Sequence, residues 1–253
     1  MILLELNQLK KTEMINYIRK KRSERWNLTK FKESFDKFNQ LDSVKKLSNT
    51  WENKYPCLND NTGTTPFDAH YIYHPAWAAR IVREINPEKH IDISSTLHFC
   101  TILSAFVKTE FYDYRPAALT LSNLKSSSAD LTNLFFESNS VESISCMHTI
   151  EHIGLGRYGD LLDPQGDIKA INELQRVTKK GGNLLLVVPL GMPRIQFNAH
   201  RIYSFDLINN LFHDFKLNNF SLITDANQFI ENAEPALVNQ QLYGCGCFWY
   251  IKR

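Results

Sequence analysis

Between positions 148 and 152 the chain reads His148-Thr149-Ile150-Glu151-His152, two imidazoles and a carboxylate within five residues. An imidazole titrates close to neutrality, so His148 or His152 can take a proton from a substrate hydroxyl as a general base. The same groups are ligands for a divalent ion, which would lower the pKa of that hydroxyl instead. His200, in Phe197-Asn198-Ala199-His200-Arg201, can complete such a set. A structural reading stands beside both: Glu151 and His152 satisfy backbone groups where a strand turns into a helix.

The elements that must hold these groups alternate. The pattern predicts helices near 75–85, 97–106, 167–178 and 205–214, with strands near 90–93, 108–112, 127–129, 143–147, 183–189, 221–224 and 245–251. Alternation of this kind implies a mostly parallel sheet with helices on both faces, because parallel strands need crossover connections. Ligands in such sheets lie at the carboxyl ends of the strands, near the point where the strand order reverses. The expected ends carry Asp92-Ile93-Ser94-Ser95, Asp113-Tyr114-Arg115, Asp130-Leu131 and then His148 to His152. A carboxylate after the second strand suits a ribose diol, and one after the third can accept from an adenine amino group. A single strand-end Asp is more often a turn or cap residue, so the succession carries the weight.

The H-x-x-E-H spelling matches inverted zinc peptidases, where two histidines on one helical face bind zinc and the Glu acts as base. That motif needs sustained helix. Here the segment follows a strand-like run and leads into Ile153-Gly154-Leu155-Gly156, so a peptidase is a remote alternative.

The order Asp92-Ile93-Ser94-Ser95, Asp113, Ala129-Asp130, Glu151-His152 and Glu173-Leu174 through Lys180-Gly181-Gly182 resembles the Rossmann-like (class I) methyltransferases over 71–253. Within that superfamily, Asp113-Tyr114-Arg115-Pro116, the run from Glu151 through Gly154, Gly156 and Gly159 to Asp160, and Phe197 to Arg201 resemble a family catalogued as a domain of unknown function. The resemblance implies an α/β, doubly wound, mostly parallel seven-stranded sheet and S-adenosylmethionine as methyl donor. It implies that Asp92, Ser94 and Ser95 approach the methionine end of the cofactor, Asp113 the ribose, and Asp130 with Leu131 the adenine. Glu-x-x-Glu-His with a distal His is similar to the metal site of some O-methyltransferases; here His148 replaces the first Glu, giving a possible set of His148, Glu151, His152 and His200. The implied reaction is O-methylation of a small acceptor, such as a sugar, a nucleotide-linked sugar or a phosphoramidate precursor of a surface polysaccharide. Arg157, Tyr158, Arg194 and Arg201, expected on the same edge, lean toward an anionic acceptor.

The sequence departs from that superfamily at its glycine-rich first motif, where Ser94-Ser95-Thr96-Leu97-His98 stands and no glycine occurs between Gly63 and Gly154. Glycines there permit positive φ and close approach to the ligand. Their absence leaves a non-catalytic, methyltransferase-like binding module as the alternative.

The 253 residues suffice for one sizeable α/β core with an appendage. The net charge is +2, but residues 1–50 hold twelve Lys and Arg against six Asp and Glu, so that stretch carries +6 and the rest −4. Apolar residues recur there at helical spacing with no Gly or Pro, which predicts two or three amphipathic helices, and 55–66 reads as a loop. The expected division is a helical extension over 1–60 and a methyltransferase domain over 61–253. No apolar run is long enough to span a bilayer, no nucleic-acid motif is present, and five cysteines without a secretory start point to a cytoplasmic protein. Cys245-Gly246-Cys247 fits a terminal strand in the core, and Trp51, Tyr71, Tyr73 and Trp77 fit helix packing better than an acceptor pocket.

Overall fold

The computed structural model describes residues 2–253, with side chains described at 14, 16–17, 20–22 and from 26 onward. The chain divides into two compact units, Met1–Pro66 and Phe67–Arg253. In the first, α1 (Ile2–Leu41) is one continuous helix of 40 residues where two or three were expected. Nothing in it interrupts the hydrogen-bond ladder, since proline and glycine are both absent. The side chains of Leu3, Leu4, Leu9, Ile15 and Ile18 lie outside the described residues. After the helix the chain returns, and Trp51 packs edge-on against Phe35 at 5.1 Å and tilted against Phe31 at 5.8 Å. The ammonium groups of Lys32 and Lys54 lie 5.2 and 4.8 Å from the same indole.

The second unit runs α2 (Ala69–Ile85), β1 (Lys89–Ile93), α3 (Leu97–Leu103), β2 (Lys108–Asp113), β3 (Leu124–Ser128), β4 (Val141–Met147), α4 (Gly166–Val177) and β5 (Thr178–Leu190). It continues with β6 (Arg194–Gln196), β7 (His200–Ile202), α5 (Phe205–Leu211), β8 (Phe215–Ile223), β9 (Phe229–Ile230) and β10 (Gly244–Lys252). The main sheet has the order β3-β2-β1-β4-β5-β10-β8-β9, with β10 antiparallel to both neighbours. It contains eight strands rather than the expected seven. The addition, β9, is a two-residue edge strand folded back on β8 by a turn at Asn227, too short to show an alternation in the sequence. β6 and β7 pair separately.

β5, parallel to β4 and antiparallel to β10, is a central strand buried on both faces. Leu184, Leu186, Val188 and Leu190 enter the core on one side, and Leu185 and Val187 on the other. Each such side chain contributes roughly 1.5–3 kcal/mol by leaving water. Phe99 and Leu103 of α3 join the second cluster, whereas Ala170, Ile171 and Leu174 of α4 join the first. The helices that follow β1 and β4 therefore cover opposite faces, and the chain leaves the carboxyl ends of these paired strands in opposite directions, where a crevice is expected.

Beneath that crevice runs a buried polar chain between β1 and β4. The His90 ring contacts Ser143 Oγ through Nδ1 (2.8 Å) and Ser145 Oγ through Nε2 (2.9 Å), while Ser145 Oγ donates to Asp92 Oδ1 at 2.6 Å. A hydroxyl has one proton, so Ser145 accepts from Nε2–H and His90 is the neutral Nε2–H tautomer. Burial pushes His90 down to about 3 and Asp92 up to about 7.

Because the folded Asp92 holds its proton more tightly than the unfolded chain, its contribution to stability is complete below the ordinary value of 3.8 and is lost as pH rises through about 7. Asp92→Asn keeps an acceptor for Ser145 but cannot ionise. Its unfolding free energy, measured by urea denaturation, is expected to rise relative to the unmodified chain by on the order of a few kcal/mol between pH ~4 and ~8. A difference independent of pH would contradict the buried titration.

Candidate functional site

Two residues at the carboxyl edge take the left-handed conformation: Ser94 after β1 (φ 54°) and His148 after β4 (φ 55°). Outside glycine this region is sparsely populated and needs surrounding contacts to hold it. The Ser94 N–H and hydroxyl both donate to the Tyr112 carbonyl (2.7 and 3.1 Å), and the Thr149 hydroxyl donates to the Ser94 carbonyl at 3.1 Å. The His148 N–H donates to the Val187 carbonyl at 2.8 Å. Ser94 thus adopts the backbone conformation for which the sequence lacks a glycine, fixed by hydrogen bonds that a glycine could not all make.

A cavity of about 490 Å³ lies over the ends of β3, β2, β1 and β4. Ser94, Asp113, Asp130, Leu131, His148 and His152 all line it. Its size is within the usual range for small-molecule sites, about 300–1,000 Å³. One oxygen of Asp113 accepts the Arg115 N–H at 2.7 Å, and one of Asp130 accepts the Thr132 N–H and hydroxyl at 2.8 and 2.7 Å, which orients both carboxylates. Asp92 and Ser95 do not line the cavity. Asp92 is fully buried in the polar chain below, and the Ser95 hydroxyl is nearly buried, accepting the Met147 N–H at 3.2 Å.

The segment 148–152 leaves β4 directly into one 3-10 turn, Ile150–His152, and α4 begins only at Gly166. The helix required by the peptidase motif is not formed. Instead Glu151, 1% exposed, turns inward and its Oε1 receives His148 Nδ1 at 2.9 Å, with His152 Nε2 at 3.8 Å. Glu151 Oε2 has no partner among the described residues. His152 Nδ1 lies 2.6 Å from the Ala199 carbonyl; since a carbonyl only accepts, Nδ1 carries the proton and Nε2 the lone pair. His200 reaches the same cluster from β7, its ring 6.2 Å from that of His152, and burial followed by the nearby His152 lowers its pKa.

Further groups come from distant parts of the chain. His70 and His74 of α2 place their rings 5.5 and 5.1 Å from that of His148, and Cys245 of β10 puts Sγ 3.4 Å from His148 Nε2. Tyr243 lies between His70 and His200, with ring separations of 5.3 and 4.9 Å. Burial, then the Glu151 charge, pushes Tyr71 and Tyr243 up to about 12. Tyr71 therefore faces this cluster, its ring 5.4 Å from His148, while Trp77 packs in the core. The His70-x-x-x-His74 spacing was the sequence signal that could have found the helix's contribution. Nothing local announced Tyr243 or Cys245. Among the described residues, the three potential metal donors that lie within 4.8 Å of one another are His70, His148 and Cys245; Glu151, His152 and His200 are not in that set.

The Gly154-to-Asp160 run is a loop organised by one carboxylate. Asp160 accepts the N–H groups of Gly154 (2.7 Å), Gly156 (3.3 Å) and Tyr158 (3.2 Å). Partial burial opposes its ionisation, but the backbone donors from Tyr158, Gly156 and Gly154 outweigh that and hold its pKa below the ordinary value. Gly154 has φ 79°, and a Cβ there would collide with the Asp163 carbonyl. Arg201, expected to face an acceptor, is buried and donates to the Ile153 carbonyl at 2.7 Å. Arg194 is held by the Met192 and Leu242 carbonyls. Arg115 lines the cavity, 4.8 Å from the Tyr158 ring, and Arg157 lies 5.0 Å from the same ring while donating to the Ala199 carbonyl at 3.2 Å.

Residues 114–237 match the model of a family described as "Caenorhabditis protein of unknown function, DUF268". No curated protein matches the chain. Among solved structures, it is similar to 1,6-didemethyltoxoflavin-N1-methyltransferase of Burkholderia thailandensis, with 7% identity, TM-score 0.51, and coverage of 71% of this chain and 78% of that one. A protein of Galdieria sulphuraria assigned as a sarcosine dimethylglycine methyltransferase gives 14% identity, TM-score 0.51, and coverage of 70% and 84%. One of Bacillus halodurans assigned as a methyltransferase gives 13%, 0.50, and coverage of 70% and 98%. The fold is therefore that of the Rossmann-like, class I methyltransferases, and residues 114–237 carry the match to the family of unknown function.

Proposed function

We propose that this chain is an S-adenosylmethionine-dependent methyltransferase acting on an oxygen of a small, anionic acceptor. The observation that supports it most is the convergence of Ser94, Asp113 and Asp130–Leu131, from three neighbouring strand ends, on the one cavity that His148 and His152 also line. These residues fit the cofactor. Asp113 offers a carboxylate to a ribose diol, Asp130 and Leu131 address the adenine, and Ser94 lies where the methionine end is expected. Bound there, S-adenosylmethionine would supply an electrophilic methyl group.

The chain's own contribution is to prepare the acceptor. His152 Nε2 takes the proton of the acceptor hydroxyl, and the buried carboxylate of Glu151 favours the imidazolium that results. His148 shares that carboxylate and limits water on the same side. His200 closes the cluster from β7. Arg115 and Arg157, beside Tyr158, are the groups available to a phosphate or carboxylate on a sugar or nucleotide-linked acceptor. A binding module without catalysis is the second reading, motivated by the glycine-free first motif; that Ser94 takes the positive φ a glycine would supply favours the enzyme.

Calorimetry with S-adenosylhomocysteine separates the two questions. The native chain is expected to bind it, and Asp113→Ala to weaken binding by about 10–100-fold, the worth of a lost charge-assisted hydrogen bond. Absence of binding at millimolar ligand would refute the enzyme. With nucleotide sugars and sugar phosphates as trial acceptors, His152→Gln is expected to lower kcat by about 10²–10⁴ while leaving S-adenosylhomocysteine affinity unchanged. Equal turnover by both proteins would remove His152 as the base.

A further inference from the structure

His70 at the start of α2 and Cys245 in β10, neither assigned to methyl transfer, meet His148 at the end of β4, and the three bring two nitrogens and one sulfur within 4.8 Å of one another. We propose that these three residues bind a zinc ion. They are separated by 78 and 97 positions in the chain and meet only in the folded protein.

Three observations support a ligand rather than simple packing. His148 Nδ1 is held by Glu151 at 2.9 Å, so Nε2 is the free nitrogen, and that nitrogen faces Cys245 Sγ at 3.4 Å. A carboxylate behind a ligating histidine fixes its tautomer and raises its basicity, the usual support of a zinc-bound imidazole. His148 is kept in a left-handed conformation that presents this ring, and such outliers concentrate at functional positions. Two polar atoms beside the cluster, Glu151 Oε2 and His74 Nε2, are buried with no partner among the described residues, in residues only 1% and 0% exposed. Orphaned buried polar atoms are rare, and a bound ion or its water accounts for them.

Two imidazoles and a thiolate suit a borderline-soft d¹⁰ ion, and three protein ligands leave the fourth tetrahedral position open, as in catalytic zinc sites. Binding converts the Cys245 thiol to a thiolate bonded to zinc and releases one proton to solvent. His148 also lines the cavity, whereas His70 and Cys245 do not. Zinc binding itself does not depend on the methyl-transfer reading. The use of the open position to polarise an acceptor hydroxyl does rest on it.

Cobalt(II), which substitutes for zinc and reports its ligands, is the probe. Titrated into the metal-free full chain, it is expected to give a near-ultraviolet sulfur-to-cobalt charge-transfer band that zinc displaces. Cys245→Ser should abolish the band, and Glu151→Gln should keep it but weaken binding about 10–100-fold. Circular dichroism and thermal unfolding without metal check that each variant folds. If Cys245→Ser does not, His70→Gln, at a less buried position, should weaken cobalt binding in the same titration. No charge-transfer band in the native chain, or a band that survives Cys245→Ser, would overturn the site. Binding of S-adenosylhomocysteine with no cobalt band rejects the ion and leaves the transferase; the reverse result rejects the transferase and leaves the ion.

Discussion

The carboxylate of Glu151 is the group around which the carboxyl edge of the sheet is arranged. A buried carboxylate is costly unless charged or hydrogen-bonding partners surround it. Here His148 and His152 flank one oxygen, and the ring of His200 stands beyond His152. The backbone supports the same point: the Arg201 guanidinium, itself buried, ties the Ile153 carbonyl to β7, and Ala199 fixes the His152 tautomer. Without that carboxylate the histidines would have no common orientation. Their separation from solvent would then favour collapse into ordinary core packing.

The second constraint is the divergence of β1 and β4. Since α3 and α4 cover opposite faces, the ends of these strands cannot be closed by packing, and the two residues that leave them do so in the left-handed conformation. Ser94 and His148 therefore both come to line the cavity, as consequences of topology. The buried His90–Ser145–Asp92 chain stiffens the floor beneath them. It also bears on why an acid in the first motif need not touch a ligand: Asp92 Oδ1 is taken by Ser145, while Oδ2 is buried with no partner among the described residues.

Much of the fold was legible because the parallel strands are short apolar runs separated by helical periodicity. The end of β2 was legible too, where Asp113 follows Phe111-Tyr112; Asp130 follows the polar Ser126-Ser127-Ser128 and was legible only from the succession of strand-end acids, and both line the cavity. Asp92 was not, because β1 is buried on both faces from His90 onward and alternation cannot say which way a residue points. The glycine-free motif misled by spelling alone: the conformation is retained by Ser94 through its bonds to Tyr112. The glycines of 154–159 were legible as a family likeness, but their meaning, a loop wound on Asp160, needed the backbone. The His70-x-x-x-His74 spacing offered a signal, but Tyr243 and Cys245 were unreadable, since their only link to the site is contact between elements remote in sequence.

The most direct measurement is a crystal structure of the chain with S-adenosylhomocysteine. The account requires the ribose hydroxyls on the Asp113 carboxylate, the adenine beside Asp130 and Leu131, and the sulfur on the side of the cavity lined by His148 and His152. Ligand density elsewhere on the protein, or a bound pose with the sulfur turned away from these histidines, would contradict it.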